Sequence, residues 1–221
     1  MKNKVLQKMI SEEELPKTFL RFYFVGLLLF IIPHTRELFF SITALTLILV
    51  IGCILFHHKE WNKSTVLVFA FIAFSSFFLE VAGVNSGILF GEYQYDISLG
   101  LKLWNTPLII GLNWVFLVYA SQSIISRFTN NPYLRIVGGA SLMIGYDLIL
   151  ELAAPPMQMW HFKTFYPPVE NFVTWFVAAL FYNSLLVLFK ISVDNKSAGS
   201  LFWIQMLFFA IISIFSLLLI Q

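Results

Sequence analysis

Glu80, Asp147 and Glu151 are the residues of this chain best placed to do chemistry, because each lies in or at the end of a long apolar run. A carboxyl group in such surroundings is expensive to keep, so it is a functional candidate by default. Asp147 and Glu151 are four residues apart, which sets them on one face of a helix about one turn from each other. Two carboxyl groups that close, and shielded from water, are expected to share a proton near neutral pH and leave one of them able to act as an acid. Polar and aromatic residues fall at a similar depth: Asn113 and Trp114, then Asn171 and Trp175, with Glu170 just before. An acid in an apolar, aromatic-lined site reached from lipid suits proton addition to an alkene, because aromatic faces can stabilise the cation that forms. Two plainer readings stand beside this one. Glu80 and Glu151 could be interfacial and solvated, or the carboxylates could hold a metal with His161 as a further ligand. The metal case is weak, since three carboxylates without a well-placed histidine make a poor donor set.

Several chemistries are excluded by what is missing. There is no phosphate-cradling glycine loop followed by Lys, no GxSxG and no HExxH. A retinal photoreceptor needs a Lys in its seventh span, and Leu201 to Ile220 contains no charge. The net charge of +2, with no stretch interleaving basic and aromatic residues, is too small to suggest a nucleic-acid partner, and none is expected. Cys53 is the single cysteine, so no disulfide within the chain is possible.

The elements that must position these acids are membrane helices. Of the 221 residues, 59% are hydrophobic and only 12% are charged, about half the usual charged share of a soluble domain. A helix needs about 20 residues to cross the hydrocarbon. Seven runs come close: Thr18–Pro33, Leu38–Phe56, Thr65–Ala82, Pro107–Ile125, Leu134–Ala153, Asn171–Phe189 and Leu201–Ile220. The expectation is an all-α polytopic bundle, a single integral membrane domain over residues 1–221. The segment before the first run is polar and has no small-residue cleavage site, so a retained first helix is expected, not a removed signal peptide. Lys2, Lys4, Lys8, Lys17, Arg21, Lys59, Lys63, Arg127, Arg135, Lys190 and Lys196 fall on one side if every span crosses, against Arg36, Lys102 and Lys163 on the other. That asymmetry predicts a cytoplasmic N-terminus and an outer C-terminus, in the cell's inner (plasma) membrane.

Two outer loops stand out. The first, Gly83–Thr106, holds four glycines with Phe90, Tyr93, Tyr95 and Trp104; the second, Ala154–Tyr166, holds Pro155, Pro156, Trp160, His161 and Phe165. Aromatics at a membrane boundary are ordinary belt residues, yet loops this rich in glycine and aromatics could also cap a pocket.

The run from Glu80 to Tyr95, with Gly83, Val84, Gly87, Phe90, Gly91 and Tyr93, resembles the E-x-x-G-V-x-x-G-x-x-F-G-x-Y-x-Y pattern of membrane carotenoid 1,2-hydratases. Pro107-Leu108, Asn113-Trp114, Tyr146-Asp147 with Glu151, Trp160, and Pro168 with Asn171, Phe172 and Trp175 look like later blocks of that family. The resemblance covers roughly Ser64 to Phe189. The chain departs from the pattern at Phe162, where a second Trp is expected, and in an extra Pro pair in the outer loop; both bear on the end-group pocket more than on the chemistry.

The resemblance implies hydration of the terminal C1–C2 double bond of a lipid-soluble acyclic carotenoid, with water as co-substrate and no cofactor. Protonation at C2 gives a tertiary cation at C1, which water captures as a tertiary alcohol. One acid among Asp147, Glu151 and Glu80 protonates and another orients or deprotonates water. Tyr93, Tyr95, Trp114 or Trp175 shield the cation, and Asn113, Trp160 and Asn171 complete the substrate site. The closest rival is a carotenoid cyclase that begins with the same protonation. A proton-coupled transporter would predict internal repeats or broken helices, which the sequence lacks, and a non-catalytic scaffold would tolerate loss of the acids. Nothing in the sequence sets an oligomeric state.

Overall fold

The computed structural model describes residues 11–164 and 166–219. Lys2, Lys4 and Lys8 of the charge pattern, Phe165 of the second loop and Ile220 at the end of the last expected span lie outside the described residues. Seven helices stand among the described residues: α1 Leu15–Ile31, α2 Arg36–Phe56, α3 Lys63–Ser86, α4 Ile109–Ile125, α5 Pro132–Ala153, α6 Val169–Leu188 and α7 Lys196–Leu219. Between them lie four short strands, β1 Tyr93–Tyr95, β2 Lys102–Leu103, β3 Thr106–Pro107 and β4 Trp160–Phe162.

Length and composition qualify five segments to cross a membrane: Pro33–Phe56, α3, α5, α6 and Lys196–Leu218. Their outer faces carry rows of exposed apolar side chains, such as Phe71, Phe74 and Phe78 on α3 and Trp203, Leu207, Ile211 and Ile214 on α7. Water would not tolerate so continuous an apolar surface, and lipid does. The chain is a multi-pass membrane protein. The α1 helix, of 17 residues, carries Lys17 and Arg21 near its start.

The α4 helix, as short as α1, organises the rest. Its 17 residues rise only about 26 Å, short of the hydrocarbon thickness of about 30 Å. Every residue from Trp114 to Ile124 is buried, because α4 runs through the middle and packs on α2, α3, α5, α6 and α7. Gly111 lets α3 approach closely: a Cβ there would stand 2.2 Å from the Ala73 carbonyl oxygen.

Capping residues set several helix starts earlier than the apolar runs suggest. Asn62 accepts from the Thr65 N–H, Asn131 accepts from those of Tyr133 and Leu134, and Asn195 accepts from Ala198 N at 3.1 Å. The last helix therefore begins at Lys196, five residues before the expected Leu201. At its other end α3 continues to Ser86, so Glu80 lies well inside the helix and not in its last turn.

Side-chain contacts define two ends. At one, Asn195 donates to the Ile54 carbonyl at 3.0 Å, Ser123 donates to the Asn195 carbonyl at 2.7 Å and Lys59 pairs with Asp194 at 2.8 Å. This gathers the close of α2 and α4 with the start of α7. At the other end, strands β1 and β4 pair antiparallel, with Tyr93 opposite Phe162, Gln94 opposite His161 and Tyr95 opposite Trp160. The two loops singled out in the sequence thus form one ribbon.

Candidate active site

The β1/β4 ribbon is a cap, and its alternation decides what lies beneath it. Successive strand residues point to opposite faces. Tyr93, Tyr95, Trp160 and Phe162 line the cavity below, while Gln94 and His161 meet each other at 2.8 Å on the other face. His161 Nδ1 also lies 2.9 Å from Asp96 Oδ2, so this histidine stays out of the cavity that Glu80 and Glu151 line, although it borders a neighbouring pocket that Glu151 also lines. Lys163 pairs with Glu92 beside it. Glycine makes the cap's close seating possible. A Cβ on Gly83 would overlap the Phe90 ring at 2.1 Å, and Gly91, at φ +83°, brings the backbone to where a Cβ would be 2.5 Å from Pro168.

Glu80 enters the cavity from α3 and is 3% exposed; Asp147 and Glu151 come from α5 at 0% and 6%. The interfacial, solvated reading of these acids fails on that burial. Three donors converge on Glu80. Tyr93 Oη and Tyr95 Oη donate to its Oε2 at 2.7 and 2.9 Å, and Trp114 Nε1 donates to its Oε1 at 3.2 Å. Such a set can satisfy a carboxylate removed from water. Burial pushes both tyrosine phenols well above their ordinary value, and the adjacent Glu80 carboxyl adds to the effect. Both therefore remain donors.

Glu151 has a different setting. Trp160 Nε1 donates to its Oε2 at 2.9 Å, and Asn171 Nδ2 approaches its Oε1 at 3.4 Å and Asp147 Oδ2 at 3.5 Å. Asn171 thus bridges the two acids of α5 from the first turn of α6. Asp147 Oδ1 has no hydrogen-bond partner among the described residues.

The walls between the acids are aromatic. Trp114 and Trp175 stack with ring centres 4.2 Å apart, Tyr93 stacks on Phe162 at 5.1 Å, and Tyr95 meets Trp160 edge-on. Phe162, where the family pattern suggests Trp, is therefore a wall of the cavity. The free space is about 20 Å³, room for about one water molecule.

Nine of the ten residues expected at the site line this cavity: Glu80, Tyr93, Tyr95, Asn113, Trp114, Glu151, Trp160, Asn171 and Trp175. Asp147 is the tenth, standing behind the wall and joined through Asn171. Ile110 and Leu150 also line it. They are apolar residues in apolar runs, marked in the sequence only by lying on the same helix faces as Trp114 and Asp147.

Against known proteins, the family model described as carotenoid biosynthesis protein matches residues 37–220. The match extends beyond residues 64–189, where the motif resemblance is concentrated, to include α2 and α7. No match is found among curated proteins or among solved structures.

Proposed function

The chain belongs to the carotenoid biosynthesis protein family, and from that premise we propose that it hydrates the terminal C1–C2 double bond of an acyclic carotenoid end group. Its role in carotenoid biosynthesis follows from the family; the reaction is what the motif resemblance to carotenoid 1,2-hydratases implies, and the site's geometry supports it. The observation that carries it is one aromatic-walled cavity lined by both Glu80 and Glu151, with space for about a single water. Acid-catalysed hydration needs those parts: a proton donor for C2, a shield for the tertiary cation at C1, and a held water to capture it. The stacked Trp114–Trp175 pair and the tyrosines present π faces or edges to the reacting carbon. No redox step is involved, so the residues present account for the chemistry.

The charge pattern supports a placement in the inner (plasma) membrane with the N-terminus cytoplasmic. Lys59, Arg127 and Lys196 lie at the end that Asn195 ties together, and Lys102 and Lys163 lie at the capped end. The cap then faces outward, where the cavity sits nearest to water.

The test is pigment analysis after expression in a host that makes lycopene or another acyclic carotene. Hydration adds the mass of one water to the pigment, whereas cyclisation gives a ring at unchanged mass. Glu80→Gln and Asp147→Asn should abolish the hydrated product at normal membrane levels. Full activity in both would overturn the site assignment.

A further inference from the structure

The acid cavity is too small for an isoprenoid end group, yet a larger space adjoins it. A pocket of about 350 Å³ opens at the seam between the end of α5 and α7, within the size range of small-molecule sites. Leu152, Pro155 and Pro156 wall one side, Ser213, Ser216 and Leu217 the other, and His161, Phe162 and Thr164 border it from the cap. Leu152 and Leu217 are exposed on the apolar surface, so the pocket faces lipid. Glu151 lines both this pocket and the acid cavity; Glu80 lines only the cavity, and Asp147 lines neither. A more polar space of about 510 Å³ is bordered by Asn85, Ser86, Glu92, Gln94 and Lys163, and it shares His161 and Phe162 with the first.

The leucine-walled space suits hydrocarbon and the polar one suits water, with His161 and Phe162 lining both. Resting on the hydratase reading, we propose that the end group of the acyclic polyene enters sideways from lipid through the α5/α7 pocket and meets Glu151 there. This divides the work between the acids. The Glu151 carboxyl gives its proton to C2, and the alkene π pair becomes the new C–H bond. Water beside Glu80 adds its oxygen to the C1 cation, and the proton it loses goes to the Glu80 carboxylate. That proton returns to Glu151 through water in the shared cavity, so the sum is alkene plus water to tertiary alcohol. Asp147 is a positioning residue that acts on Glu151 through Asn171. The small side chains of Ser213 and Ser216 keep the seam open. Ser213 turns inward to donate to the Phe209 and Ile149 carbonyls at 2.8 and 3.3 Å.

The experiment closes the pocket while leaving the acids in place. Ser216→Trp should lower conversion of acyclic carotene about tenfold or more at equal membrane level, a loss of about 1.4 kcal/mol in transition-state access. Val177→Trp, on the lipid face of α6, should convert as the wild type does. A second variant separates blockage from misfolding. In a Cys53→Ser background, Ser216→Cys is modified with a bulky methanethiosulfonate; activity should fall on modification and return on reduction. Wild-type conversion by the Ser216→Trp protein, or by the modified cysteine variant, would overturn the route. Absence of any hydrated product from the wild-type chain would instead overturn the hydratase reading.

Discussion

Removing the two tyrosine donors to Glu80 tests the water-holding role most directly. Tyr93→Phe and Tyr95→Phe each delete one oxygen and leave the ring contacts with Phe162 and Trp160 intact. A hydrogen bond to a charged group contributes about 1.5–3 kcal/mol, equivalent to about ten- to hundredfold in rate if the group acts in the transition state. The two should not cost the same. Tyr93 is half-buried at the edge of the cavity, where water can replace its hydroxyl, whereas Tyr95 is buried. Tyr95→Phe is therefore expected near the upper end and Tyr93→Phe near the lower. The pair should cost more than the sum of the singles, because both donate to the same oxygen and only the Trp114 bond to Oε1 would remain. The assay is initial rate of hydrated carotenoid per mole of chain in membranes, with thermal stability measured in parallel. A double variant within a few-fold of wild type, at normal membrane level, would refute the assignment of Glu80 to water. Since both phenols sit well above the ordinary tyrosine value, the wild type should show no alkaline loss from tyrosine ionisation near pH 10.

Two further outcomes are expected away from the acids. Gly111→Ala should lower the melting temperature and, by separating α3 from α4, weaken the Trp114–Glu80 bond; forced overpacking costs about 1–3 kcal/mol, read by thermal unfolding in detergent and by activity. His58 stands at the opposite end, its Nε2–H donating to the Glu60 carbonyl at 3.1 Å, so its Nδ1 must accept from Tyr119 Oη at 3.0 Å. Burial holds its pKa below the ordinary 6.5, so the unfolded chain binds a proton there more readily than the folded one. Stability from this group is present above pH 6.5 and is lost as pH falls from there through the lower folded value. The drop in melting temperature between pH 7.5 and 5 should shrink in His58→Gln, and an unchanged drop would exclude this histidine as its source.

Much of the architecture was legible in the residues. Apolar runs of near-spanning length located all seven helices, because lipid requires each backbone polar group to be satisfied within its own segment. The four-residue spacing of Asp147 and Glu151 placed them on one face of α5, since helical geometry is local. Their rarity in so apolar a chain marked them, with Glu80, as a site. Helix ends were less legible: Asn62, Asn131 and Asn195 begin α3, α5 and α7 before the apolar residues do, because a cap is a polar contact that hydropathy does not register.

Only the tertiary structure decided how the site closes. Residues 93–95 and 160–162 lie far apart in sequence, and their pairing depends on α3, α4, α5 and α6 delivering both loops to one end. That pairing turns Tyr93, Tyr95, Trp160 and Phe162 into the cavity that Glu80 and Glu151 line and keeps His161 out of it. It also makes Glu151 the wall shared by a water-sized cavity and a lipid-facing pocket. Composition sets which groups lipid will expose, but which acid faces which neighbour follows from the packing of helices that are distant in the chain. The three carboxyl groups were visible from the start as one kind of residue, and the fold gives them different surroundings.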